Sequence, residues 1–199
     1  MPTMAGLVQY QFTIMFYIIE IIMKKLVLFI GLIIFCSSCE KNNFDIDNPN
    51  VKIFVKQLKN GTYDKYAKNE KGENLWLIMP EFNKRHIPLL IELSKDTTHI
   101  EKFPINPLSS RLPFPGERDY FILGEGLLWI VDGIITETTY PSLDPFLIET
   151  SRDNTERYKG LTTHEILMIQ EIYTQWWNKN KHEERITEKP LENTSFRWF

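Results

Sequence analysis

Apolar residues form two adjacent runs near the N-terminus and then, from residue 49 onward, recur mostly at helical spacing. The two runs, residues 12–23 and 26–35, are broken only by Glu20, Lys24 and Lys25. Beyond them, Val51, Phe54, Val55 and Leu58 lie on one face at intervals of three and four, which predicts a short amphipathic helix over 49–60. Asn48 is placed to cap it, Pro49 to open it and Gly61 to end it. Residues 62–74 are polar, anchored only by Tyr63 and Tyr66, and read as loop or broken helix. The apolar run 75–79 is a short strand or the start of the next helix. Residues 81–94 are helical by pattern. Pro88 either kinks that helix or sits in the first turn of one beginning near His86.

Four prolines in 102–116 leave no regular element there, so a long loop is expected. Residues 119–136 are apolar nearly all round, the mark of a helix buried at the centre of a domain. Gly124, Gly126 and Gly133 each lower its helical stability by about 1 kcal/mol against alanine, which is sensible where neighbours approach closely. Tyr140-Pro141 closes this segment, and a short apolar piece follows through Ile148. The clearest helix opens at Thr162, with Glu165 at capping-box spacing and Ile166, Ile169, Ile172, Tyr173, Trp176 and Trp177 as its apolar face. Residues 178–185 are a solvated charge cluster. Phe196, Trp198 and Phe199 give the C-terminus reason to dock on the domain. Strand patterning is scarce. The expectation is therefore a mostly α fold: a small single domain of packed helices, open to a short α-α stack, with long proline-rich loops.

The N-terminal runs carry a separate message. Lys24 and Lys25 form a positive segment, residues 26–35 an apolar one, and Ser37-Ser38-Cys39 a small-residue cleavage site. This resembles the lipobox of bacterial lipoproteins, which implies that Cys39 is acylated and becomes the mature N-terminus. Cys36 stands where that family usually has an aliphatic residue. A single membrane helix over 12–35 would bury three charges, at about 2.5–3.5 kcal/mol for a central lysine. The pattern instead favours 1–22 as an upstream extension or leader, 23–38 as signal peptide, 39–48 as a polar tether and 49–199 as the domain.

Composition narrows the chemistry. Loss of residues 1–38 leaves 161 residues with 21 basic and 25 acidic side chains, enough for one real core and too acidic to favour nucleic acid. Both cysteines, Cys36 and Cys39, precede the domain, so it has no internal disulfide and no cysteine metal site. The four histidines are scattered and lack zinc-protease spacing, so neither metal nor cofactor is expected. No phosphate-cradling glycine loop and no nucleophile elbow occurs.

Two candidate sites remain. Glu125 and Asp132 share a helical stripe beside Trp129, a pattern that could serve glycoside hydrolysis. Seven helical residues part their backbones by about 10 Å, against workable carboxylate separations of about 5–9.5 Å. The competing reading makes them the one solvated stripe of a buried helix. Trp176 and Trp177 point about 100° apart on their helix, so one of them is a candidate binding surface. Asn106 and Arg111 in the proline loop extend the candidate surface.

The segments Phe103-Pro104-Ile105-Asn106-Pro107-Leu108-Ser109-Ser110 and Tyr140-Pro141-Ser142-Leu143, together with the lipobox, resemble a lipid-anchored Bacteroidetes envelope family known as a domain of unknown function. The resemblance implies an envelope address, with the outer membrane expected, and no catalytic residues. The expected function is a non-catalytic binding or accessory module for an envelope protein or glycan. The alternative is an envelope hydrolase using dispersed carboxylates.

Overall fold

The computed structural model describes residues 44–109, 118–150 and 159–199, together with Ile22, Met23 and Lys25. The chain divides into two units, 1–43 and 44–199. In the first, Ile22, Met23 and Lys25 are helical and exposed. Cys39, the rest of the expected signal peptide and Arg111 lie outside the described residues. No described helix is long and apolar enough to cross a membrane.

The second unit is mixed α/β rather than mostly α, which corrects the expectation from patterning. Its helices are α1 (Val51–Lys59), α2 (Ile87–Leu93), α3 (Leu123–Ile135) and α4 (Thr163–Asn180). Between them run β1 (Tyr66–Lys68), β2 (Asn74–Leu77), β3 (His99–Ile100), β4 (Phe121–Ile122), β5 (Leu147–Glu149), β6 (Lys159–Gly160) and β7 (Phe196–Trp198). All pairings are antiparallel: β1 with β2, β3 with β4, and β5 between β6 and β7. Strands of two to four residues are too short to show a period of two, so alternation could not reveal them.

Local chemistry explains the boundaries. Asn50, not Asn48, caps α1, because its side-chain oxygen accepts from the amides of Lys52 and Ile53 at 3.0 and 3.2 Å. Asn48 instead accepts from Arg85 Nη2 at 2.5 Å. Gly61, at φ 65°, ends the helix with its amide on Leu58 O while Thr62 N reaches Gln57 O, a Schellman closure. The stretch 62–74 is not a broken helix but the first strand and turn of a hairpin. Asn69 Oδ1 accepts from the amides of Lys71 and Glu73, and Gly72 takes φ 80°. Lys84–His86 is a 3-10 turn leading into α2, which places Pro88 in the first helical turn, one of the two alternatives the sequence allowed. The Thr162–Glu165 capping box of α4 forms as expected.

α3 is the central element, packed against α1, α2 and α4. A Cβ on Gly124 would lie 2.0 Å from the carbonyl oxygen of Ser94, and one on Gly126 2.6 Å from the Phe103 ring. Those contacts bring α2 and the proline loop against α3. Around α3 the core is aromatic: Phe54 meets Phe44, Tyr63 and Phe82 at 5.9, 5.1 and 5.3 Å, and Phe103 meets Trp129 at 6.3 Å. Such pairs add about 0.5–1.5 kcal/mol each beyond the area they bury. The core reaches back to Phe44, within the stretch read as tether.

Candidate functional site

The α3 carboxylates are not a solvated stripe. Glu125 is 0% exposed and Asp132 8%. Each is taken up by donors from distant parts of the chain. Glu125 pairs with Arg118 Nη2 at 2.8 Å and accepts from the Leu147 amide at 2.6 Å, tying the segment before β4 and the start of β5 to α3. The Arg118 guanidinium also lies 4.5 Å over the Phe146 ring and 5.6 Å from that of Tyr120, while its Nε and Nη1 have no hydrogen-bond partner among the described residues. Asp132 accepts from the Tyr173 hydroxyl at 2.8 Å and from Trp198 Nε1 at 2.7 Å. Burial raises the Glu125 carboxyl to about 7 against the opposing pull of Arg118 and the Leu147 amide. Burial likewise raises Asp132 to about 6 against the two hydrogen bonds it accepts.

These are supports for the fold. Neither carboxylate lines the cavity beside the start of α2 or the cleft beside the proline loop. A general acid or nucleophile must reach its substrate within hydrogen-bond distance, and here both positions are enclosed by protein.

The helical tryptophans are also placed otherwise than as a platform. Trp176 is 6% exposed, and its indole N–H donates to Glu188 O at 2.8 Å. Trp177 is half-buried, 6.1 Å from Trp176. The C-terminal segment docks as β7 on β5, and Trp198 reaches Asp132. Among the histidines, His86 is buried and accepts from the Asn83 amide, while His99 stacks on Tyr120 at 3.9 Å. His164 and His182 are exposed, and no cluster of metal-ligating side chains forms among the described residues.

The two segments that carried the family resemblance come together. Ser109 Oγ donates to the Asp144 carboxylate at 2.8 Å, and Asn106 Nδ2 reaches Ser142 O at 3.5 Å. Trp129 Nε1 donates to Ser142 Oγ at 2.7 Å, fastening the second segment to α3. Asn106 Oδ1 accepts from the Leu108 amide, which folds the proline loop into a turn. Buried Phe103 anchors the loop's start against α3.

Between this loop and the β1–β2 hairpin lies a cleft of about 340 Å³, lined by Tyr66, Trp76, Glu101, Lys102, Asn106 and their neighbours. Trp76 is 43% exposed, beside the similarly open Leu75, and Leu108 projects from the turn at 82%. Asn106 is the expected site residue that the structure brings here. Trp76 carries no functional signal in sequence, because its short apolar run fits a strand or a helix start equally well. The one available hint is a tryptophan beside a polar hairpin. A larger cavity of about 490 Å³ lies between the start of α2, the end of α3 and residues 184–186. Its lining mixes aliphatic with polar and charged side chains, and its one aromatic, Phe82, packs on Phe54 and His86.

A family model described as Domain of unknown function (DUF4943) matches residues 45–199, and the chain belongs to that family. No curated protein and no solved structure matches it.

Proposed function

We propose that this member of the DUF4943 family is a lipid-anchored cell-envelope protein whose domain is a non-catalytic binding module. The observation that carries the reading is the contrast between two regions. The acidic side chains suited to catalysis are enclosed and hydrogen-bonded, while the hairpin and proline loop present an open cleft with an exposed tryptophan. Exposed aromatics beside polar groups are characteristic of recognition surfaces. The address rests on Lys24, Lys25, the apolar run and Ser37-Ser38-Cys39. Acylation of Cys39 would anchor the domain through buried methylenes at about 0.8 kcal/mol each. The outer membrane is the proposed location, and an envelope glycan or protein the proposed partner.

Two measurements test this. Intact mass of the membrane-extracted protein should equal residues 39–199 plus acyl chains; a mass retaining residues 1–38 would remove the lipoprotein reading. Capture from intact envelopes by wild-type and Trp76→Ala proteins should retain a partner only with the wild type. Equal capture by both would remove the cleft as the binding face.

A further inference from the structure

Resting on the binding-module reading, we infer that the cleft between the β1–β2 hairpin and the proline loop takes a neutral saccharide. Its volume, about 340 Å³, is at the lower end of small-molecule sites. Its lining mixes ring faces with hydrogen-bonding ends. Tyr66 and Trp76 supply aromatic surface, and Glu101 and Lys102 a carboxylate and an ammonium. Neither Glu101 nor Lys102 has an ion-pair partner among the described residues. The Tyr66 hydroxyl and the Trp76 indole N–H make no hydrogen bond among them either.

That inventory matches the surface of a pyranose. A sugar ring offers an apolar C–H face that packs on an aromatic ring, and a rim of hydroxyls that both donate and accept. The Glu101 carboxylate accepts from two hydroxyls, while the Lys102 ammonium and the indole N–H donate to their oxygens. The formal charges of Glu101 and Lys102 cancel, so the cleft has no excess charge to select an acidic or a basic ligand.

The proline-loop wall is held before any ligand arrives. Phe103 is buried against Gly126 of α3, Asn106 closes its own turn, and Ser109 is fixed to Asp144. A prearranged wall lowers the ordering cost of binding on that side.

The test titrates the full chain in detergent with cellotetraose, chitotetraose and mannotetraose, read by calorimetry and by saturation transfer from protein to sugar. At least one should bind, with saturation transferred to ring C–H protons. Trp76→Ala should weaken that binding about tenfold or more, Glu101→Gln should weaken it less, and Trp177→Phe should leave it unchanged. Thermal unfolding of each variant identifies any loss that comes from misfolding, and Trp76→Phe, which keeps a ring, should retain part of the affinity. Silence from all three sugars, or binding indifferent to Trp76, overturns the inference. Trp76-dependent capture of a protein partner together with silence from the sugars also overturns it, yet leaves the binding-module reading standing. Turnover of a bound sugar would overturn that broader reading while keeping the ligand class.

Discussion

Asp132 Oδ2 accepts a 2.7 Å hydrogen bond from the indole N–H of Trp198, sixty-six residues further along the chain. The bond joins the last turn of the buried central helix to the last strand. Tyr173 brings α4 to the same carboxylate at 2.8 Å. One acidic side chain therefore fastens three elements that local sequence could not associate.

Removing the indole donor should loosen the C-terminal strand. Trp198→Phe keeps most of the ring and deletes the N–H, leaving Asp132 with Tyr173 alone. Hydrogen bonds to charged groups contribute about 1.5–3 kcal/mol, so urea unfolding should show a loss on that scale. Amide exchange should rise at residues 196–198 and in β5, to which they pair. An unchanged unfolding midpoint would mean that the bond adds nothing.

Acidity should strengthen the domain before it weakens it. The Asp132 carboxyl stands at about 6 in the fold against 3.8 for an ordinary aspartate. The folded state thus holds the proton more tightly than the unfolded chain. Its favourable contribution is complete below pH 4 and disappears as pH rises through about 6. Glu125, raised to about 7, acts in the same direction. Unfolding free energy measured at pH 7.5 and pH 5.5 should be higher at the lower pH by about 1–3 kcal/mol. Asp132→Asn should reduce that difference and leave the larger share that Glu125 contributes. A wild-type stability that falls steadily from pH 7.5 to 5.5 would contradict the assignment.

How far sequence led depends on the range of the interaction. The Thr162–Glu165 capping box and the Gly61 helix end were legible because their partners lie within five residues. The buried, nearly all-apolar α3 was legible from composition along one helix. Its two acids were misread as a wet stripe because their partners stand 7, 22, 41 and 66 residues away. Trp176 looked available because the segment after α4, whose Glu188 carbonyl receives its N–H, has no periodic signal. The hairpin with Trp76 was lost for a different reason: its stability comes from the Asn69–Gly72 turn rather than from alternating residues. The cleft was half legible, through Asn106 and the proline density around it.

The contact between α2 and α3 should be intolerant of one added carbon. Gly124→Ala would set a methyl 2.0 Å from the Ser94 carbonyl oxygen, a backbone atom that cannot rotate away. Overpacking of this kind costs about 1–3 kcal/mol and sometimes more, against which the better helix propensity of alanine returns about 1 kcal/mol. The net effect should be a lower melting temperature and broadened resonances for residues near Ser94. Gly124→Ala with wild-type stability would show that the two helices separate easily.

The buried Arg118–Glu125 pair should behave as a coupled unit. Glu125→Leu leaves a guanidinium in the core with Nη2 also unpartnered, and breaking one side of such a pair costs about 3–5 kcal/mol. Arg118→Met strands the carboxylate next to the Leu147 amide, with burial still raising its pKa. The double variant Arg118→Met, Glu125→Leu removes both charges and keeps the volume. It should be more stable than either single variant, with a coupling energy of about 2 kcal/mol or more by double-mutant cycle. Additive losses would mean that the two side chains contribute independently, the 2.8 Å separation notwithstanding.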